Sequence, residues 1–469
     1  MPYERFHFKD RAALERKIAD LGLDIPLSDD ISILFSHVVV ARRILPNRLV
    51  VLPLEGADGD PAGRPTELTL RRYKRFAEGG ASLIWFEATA VTGDGRSHPR
   101  QLWINPETRD GFKKLVKETR LAAHRKFGHD HNLLLILQLT HSGRFAKPSG
   151  RPAPLIAHHN PILDAKQGLS PDHPLISDSD LDALQEDFIA ASGLAREAGF
   201  DGVDIKACHG YLVSELLAAF TRTDSRYGGS FENRIRFLAE TAEKIKLGVR
   251  GLFVTGRLSV YDSLPYPYGF GVNRDHPGDP DLDEPIRLIK KLRNIDFPIL
   301  GISLGIPAHQ SHYGRPYDKP LIGQELPDEH PLVGVSRWLR LTSEIQKAFP
   351  TLPVMGAGYS WLRHLFPHVA AAMIERERAS LIGLGRESLA YPGWVNALAA
   401  DGILDQRKVC VCCSKCSQML RAGRPVGCAV HDADTYQKEY REARKSAREV
   451  HRTEKKTARA AGKRRKRKA

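Results

Sequence analysis

Ser177-Asp178-Ser179-Asp180-Leu181-Asp182-Ala183-Leu184-Gln185-Glu186-Asp187-Phe188 opens a run that ends at Gly199 and passes into Phe200-Asp201-Gly202-Val203-Asp204-Ile205. The Ser and Asp residues at 177–180 are good helix caps. Leu181, Leu184, Phe188, Ala191 and Ala195 follow at three- and four-residue spacing, which predicts an amphipathic helix. Gly199 suits the helix stop, and the short apolar run after it reads as a buried strand. This is one helix-to-strand step of an α/β protein.

Working outward, the same alternation recurs, with strands expected at 49–53, 82–87, 133–139, 202–206, 252–257, 298–303, 352–355 and 381–384. Eight strands separated by helices predict a closed (β/α)8 TIM barrel. Three connections, 140–176, 258–283 and 304–335, exceed plain turns and are rich in Pro, Gly, His and Tyr. Each follows a strand's C-terminal end, the face on which such barrels build their sites, so they are expected to cover a substrate.

The 469 residues carry a net charge of +14. Residues 438–469 hold 15 Lys/Arg against 4 Glu, which leaves only +3 for the rest. The basic character therefore belongs to a tail, expected to be a solvated helix fraying into a disordered end, with solubilisation or weak nonspecific nucleic-acid or anionic-surface contact as its roles. No apolar run is long enough for a membrane helix and the N-terminus lacks a signal peptide's apolar core, so a cytoplasmic location is expected. Five of the six cysteines fall between 410 and 428, a cluster that in a reducing compartment points to a metal site rather than to disulfides. The expected division is a barrel with an N-terminal extension over 1–405, a cysteine-rich segment over 406–435 and the basic tail over 436–469.

The segment Asp204-Ile205-Lys206-Ala207-Cys208-His209-Gly210-Tyr211-Leu212, with Arg222-Thr223-Asp224-Ser225-Arg226-Tyr227-Gly228-Gly229-Ser230-Phe231-Glu232-Asn233-Arg234 after it, resembles the old yellow enzyme family of FMN-dependent reductases. The likeness extends from Asn47 to Trp394 and includes Gln138-Leu139-Thr140-His141, Gly256-Arg257-Leu258-Ser259, Gly356-Ala357-Gly358 and Gly383-Leu384-Gly385-Arg386. It implies a flavin lined by Pro53, Glu55 and Ala88, with Gln138 on its pyrimidine edge, Arg257 at N1 and O2, and Gly358, Gly385 and Arg386 on the phosphate. A guanidinium beside N1 suits the negative charge that two-electron reduction leaves there. Glycines after the last strands let backbone N–H groups approach a phosphate in the place where many barrels bind one.

The resemblance also implies hydride transfer to an activated C=C. Charge then builds on the substrate carbonyl oxygen, where Lys206 and His209 are the expected donors, and Tyr211 is the expected acid for the α-carbon. Two departures stand out: Lys206 replaces the uncharged donor of many relatives, and Glu55 falls where many carry Thr or Cys. The two are expected to face each other across the flavin's reactive edge. No cysteine lies between Pro53 and Gly59 to tether a flavin, so dissociable FMN is expected.

Cys410, Cys413, Cys416 and Cys428 give C-x₂-C-x₂-C-x₁₁-C, similar to the [4Fe–4S] segment after the barrel in the 2,4-dienoyl-CoA reductase and trimethylamine dehydrogenase branch of the family. Zinc is the alternative, and spacing does not decide between Cys410 and Cys412 as a ligand. Electrons would come from NAD(P)H directly or from an electron-transfer protein through the cluster. An amine-oxidising dehydrogenase is the competing activity, disfavoured by the charge of Lys206.

Overall fold

The computed structural model describes residues 2–276 and 278–466, with side chains given through Thr453. Eight parallel strands close into a barrel: β1 (Leu49–Val51), β2 (Leu83–Ala90), β3 (Leu134–Thr140), β4 (Gly202–Ile205), β5 (Phe253–Tyr261), β6 (Leu300–Leu304), β7 (Val354–Gly356) and β8 (Leu381–Leu384). Closure is made by β8 on β1, with Ile382 opposite Leu49. Every strand residue except Phe253 is buried, as a sheet covered on both faces demands.

The long helices between strands are α1 (Glu67–Ala77), α2 (Arg109–Phe127), α3 (Asp178–Ala198), α4 (Phe231–Gly248), α5 (Asp283–Asn294), α6 (Pro331–Ala348) and α7 (Phe366–Glu375), with α8 (Trp394–Asp401) after β8. In α3 the Ser177 hydroxyl accepts from the Asp180 N–H, the spaced Leu, Phe and Ala side chains are buried, and Gly199 ends the helix at φ +96°. The sequence reading holds there residue by residue. All eight expected strands form, and two run three or four residues past the expected end. β2 reaches Ala90 and β5 reaches Tyr261, each with a register shift against its neighbour near its end. Ala88 and Arg257 therefore lie within strands.

A hairpin of Val38–Val40 with Arg43–Leu45 precedes the barrel and carries no strong turn signal in the sequence. The last helix, α9 (Ala433–Lys466), is expected as a solvated element, yet its first turns dock on the body: Tyr436 and Ala443 are buried, and Asp432 just before it pairs with Arg71 and Arg75 of α1. The basic end expected to be disordered begins at Gly462, yet the helix continues through Lys466, and 467–469 lie outside the described residues. Among the described residues no helix is long and apolar enough to cross a membrane.

Candidate active site at the C-terminal face of the barrel

The ends of β1, β2, β3, β4 and β5 bring together side chains that are far apart in the chain. Glu55, two residues past Pro53, lies at the centre, with its side chain 8% exposed. Its Oε1 accepts from the Tyr211 hydroxyl at 2.9 Å and lies 3.5 Å from Lys206 Nζ. Its Oε2 accepts from Ser97 Oγ at 2.8 Å and faces His98 Nε2 at 3.7 Å. His98 Nδ1 accepts from the Arg100 N–H, so Nε2 bears the ring proton of the neutral form and turns it toward the carboxylate. Burial alone would push the Glu55 carboxyl up, but His98, Lys206 and Ser97 outweigh it and hold it down to about 2. Glu55 is an anion at neutral pH.

Lys206, just past β4, is buried, and its Nζ stands 3.5 Å from the centroid of the Tyr211 ring. Burial lowers its pKa, and Glu55 opposes that fall. Tyr211 is pushed well above its ordinary value, first by burial and then by Glu55, so it stays protonated. His209, held at φ +68°, places Nε2 3.0 Å from Ser303 Oγ at the end of β6. Burial and then the Arg257 and Lys206 cations keep its imidazole neutral. Phe145 and Ile306 flank this group: the Phe145 ring is 6.1 Å from that of Tyr211, and Ile306 lies close over Gly210. The expected trio Lys206, His209 and Tyr211 thus lies in one enclosed group with Glu55.

Arg257 and Gln138 meet through a residue that the sequence reading passed over. Asp204 Oδ1 accepts from the Arg257 backbone N–H at 2.8 Å, and Oδ2 accepts from Gln138 Nε2 at 2.5 Å and from Trp85 Nε1 at 2.8 Å. Burial raises the Asp204 carboxyl to about 6 despite these donors. One N–H of Gln138 is committed to Asp204, which fixes the amide and leaves its remaining groups for another partner. The Ala88 carbonyl accepts from Gln101 Nε2 at 2.9 Å, and Pro53 is buried beyond β1.

Gly358 follows β7 at φ +94°, where a Cβ would come within 2.6 Å of the Trp338 side chain. Gly385 and Arg386 follow β8. Among the described residues six buried guanidinium nitrogens lack an acceptor: the Nε of Arg72, Arg222 and Arg363, and also Arg257 Nε, Arg386 Nη1 and Nη2 of Arg315, a residue the sequence reading did not single out. Buried N–H donors on cations are rarely left unmade. An anionic group such as a flavin phosphate, and an electron-rich ring edge near Arg257, fit the last three donors.

Cys410, Cys412, Cys413, Cys416 and Cys428 line one cavity with Arg386, and all are free thiols. Cys412 differs from the rest: its Sγ donates to the Ser360 carbonyl at 3.3 Å and its backbone is left-handed at φ +48°. Among the described residues no three His, Cys, Asp or Glu side chains lie close enough to hold one metal ion. Tetrahedral zinc with bonds of about 2.3 Å needs sulfurs ~3.8 Å apart. These thiols surround a space instead. The residues missed from sequence, Ser97, His98, Asp204, Ser303 and Arg315, share no spacing; only Asp204, opening the central motif, carried a signal.

The model of the NADH:flavin oxidoreductase / NADH oxidase family matches residues 33–267, half of the chain. An NADPH dehydrogenase of Halalkalibacterium halodurans is 30% identical over 378 residues, covering 78% of this chain and 94% of the relative. An NADH oxidase of Thermoanaerobacter brockii is 24% identical over 81% of this chain and 52% of its own length. Among solved structures, 2-naphthoyl-CoA reductase superposes with a TM-score of 0.67 at 19% identity, over 88% of this chain and 58% of that one. The old yellow enzyme homologue of Zymomonas mobilis superposes at 0.56 and 22% identity, over 80% and 94%. At those identities the structures speak for the shared fold. The family match and the nearly full-length relative speak for descent, and this chain belongs to the NADH:flavin oxidoreductase / NADH oxidase family, the old yellow enzyme family its central motif resembles, as an FMN-type oxidoreductase.

Proposed function

We propose that this protein is an ene reductase acting on an enone, enoyl thioester or similar conjugated compound. The chemistry that reduced FMN would supply, when bound, is a hydride for the β-carbon. The Lys206 ammonium and neutral His209 donate to the substrate carbonyl oxygen, where negative charge develops. The Tyr211 hydroxyl gives its proton to the α-carbon, and Lys206, over the same ring, offsets the charge left on the phenolate. Glu55 keeps Lys206 charged and orients both side chains. Arg257 and the Asp204-held Gln138 are assigned to the flavin ring, and Gly358, Gly385 and Arg386 to its phosphate. The observation that carries the reading is the convergence of Lys206 and Tyr211 on Glu55, with neutral His209 held by Ser303, inside a flavin oxidoreductase barrel.

For the cysteines we favour a [4Fe–4S] cluster on Cys410, Cys413, Cys416 and Cys428, because the thiols enclose a space and Cys412 is engaged with Ser360. Iron and sulfide analysis with an electron paramagnetic resonance spectrum of the reduced protein tests this, and stoichiometric zinc would replace it. NAD(P)H is the proposed electron source, in keeping with the names of the relatives. Anaerobic mixing with NADH and with NADPH checks it: failure of both to bleach the flavin would transfer the role to an electron-transfer protein. Reduced enzyme offered enones and enoyl thioesters should be reoxidised. Flavin reduction by tertiary amines, with no response to enones, would assign the protein to the amine-oxidising dehydrogenases instead.

A further inference from the structure

Arg315 lies in the long connection after β6, outside the set assigned to the flavin. Its Nη1 donates to Ser414 Oγ at 2.8 Å, in the middle of the cysteine segment, while Nη2 is buried without an acceptor. Arg386 is its neighbour. Arg386 Nη2 donates to the carbonyl of Pro316, the residue that follows Arg315, at 2.9 Å, and Nη1 is again buried without an acceptor. Among the described residues neither guanidinium makes an ion pair with a carboxylate: Arg386, Cys416, Arg421 and Tyr317 act most on Arg315, four cysteines act most on Arg386, and the Glu387 carboxyl beside Arg386 is raised by burial to about 8 and so is uncharged at neutral pH.

Two enclosed like charges without a counter-charge destabilise the fold unless an anion joins them. A phosphate monoester carries two negative charges and accepts from both guanidiniums at once. The loop bearing Arg315 is also stitched to the cysteine segment beside it: Ser414 Oγ donates to the Lys319 carbonyl at 2.6 Å, and the Asp318 N–H to the Cys412 carbonyl at 3.0 Å. Whatever fixes Arg315 therefore also fixes the backbone between Cys412 and Cys416.

We propose that Arg315 is a second anchor for the phosphate of the bound flavin, and that through Ser414 it ties phosphate binding to the seating of the cysteine segment. The inference rests on the flavin reading above and adds to it a residue and a coupling. The alternative anion is a centre held by the cysteines themselves, since Cys416 is near Arg315 and Arg386 lines the cysteine cavity.

The test titrates flavin-free protein with FMN and with riboflavin, which lacks the phosphate, following flavin fluorescence. Arg315→Met is expected to weaken FMN about 10- to 100-fold, the loss of one or two charge-assisted hydrogen bonds, and to leave riboflavin unchanged. Arg315→Lys, which keeps the charge, is expected to fall between, and it remains informative if the Met variant does not fold. Amide exchange over residues 411–418 should slow with FMN more than with riboflavin in the wild type, and equally with both in Arg315→Met. Equal weakening of both ligands, or an unchanged FMN-to-riboflavin ratio with altered metal content, overturns the proposal while leaving the flavin reading intact. Wild-type protein that binds neither ligand overturns both.

Discussion

At the scale of single residues, the site depends on one buried carboxylate, Glu55. Glu55 draws the Tyr211 hydroxyl and Ser97 onto two oxygens and faces Lys206 and His98, so its removal lowers the pKa of Lys206 and of Tyr211 alike. Burial depresses Lys206 and Glu55 resists that; without the anion, Lys206 loses its proton at lower pH. Glu55→Gln is expected to move the alkaline limb of the kcat/KM profile downward and to lower the pH at which Tyr211 ionises, both read from a pH series with an enone. Lys206→Met removes a donor at the developing oxyanion and is expected to reduce kcat by about 100- to 1000-fold while the flavin stays bound.

Asp204 gives a second prediction at this scale, with the opposite sign from a salt-bridged carboxylate. Its folded pKa, about 6, lies above the ordinary aspartate value, so its protonated form favours the folded state. That contribution is full below the unfolded value near 3.8 and is lost as pH rises through about 6. In Asp204→Asn, urea midpoints should vary less between pH 4 and 6 than in the wild type. An unchanged slope would show that another buried acid dominates this window.

At the scale of elements, the sequence pattern and the packing agree wherever burial is periodic. α3 was legible because its Leu, Phe and Ala residues repeat on one face and its ends carry Ser177 and Gly199. The barrel strands were legible because all are short apolar runs, yet β2 and β5 continue past polar residues, Glu87 and Arg257, that a hydropathy reading treats as ends. Inside the closed barrel Glu87 accepts from Arg72 and Tyr73 of α1 and from the Gly56 N–H, while Arg257 Nε is left without an acceptor. The turn after β7 is where one substitution tests the architecture. Gly358→Ala must adopt a left-handed backbone and press on Trp338, and is expected to cost about 1–3 kcal/mol in denaturant unfolding together with weaker FMN retention.

At the scale of the whole molecule, the barrel, the cysteine segment and the start of α9 are joined at several points: Val426 N–H donates to the Gly56 carbonyl at 2.7 Å, beside Glu55, and Asp432 holds Arg71 and Arg75. A ligand that supplies the missing counter-charge at Arg257, Arg315 and Arg386 should stabilise all three parts together. FMN at about 100 times its dissociation constant is expected to add roughly 2.7 kcal/mol, seen as one cooperative rise in melting temperature. Separate transitions for the barrel and the C-terminal segment would show that they are not coupled.

The sequence by itself determined the barrel, the order of its strands, the family and the positions of Lys206, His209, Tyr211 and Arg257, because each is encoded locally, in periodicity or in a contiguous motif. Only the tertiary structure decided that Glu55 is an anion bonded by Tyr211 and Ser97 with Lys206 and His98 facing it, that Asp204 fixes Gln138 and Arg257, and that Arg315 stands beside Arg386. The reason is physical: ionisation and hydrogen-bond commitment depend on burial and on neighbours that closure of the barrel brings in from distant strands, and no local pattern of residues records which neighbours those will be.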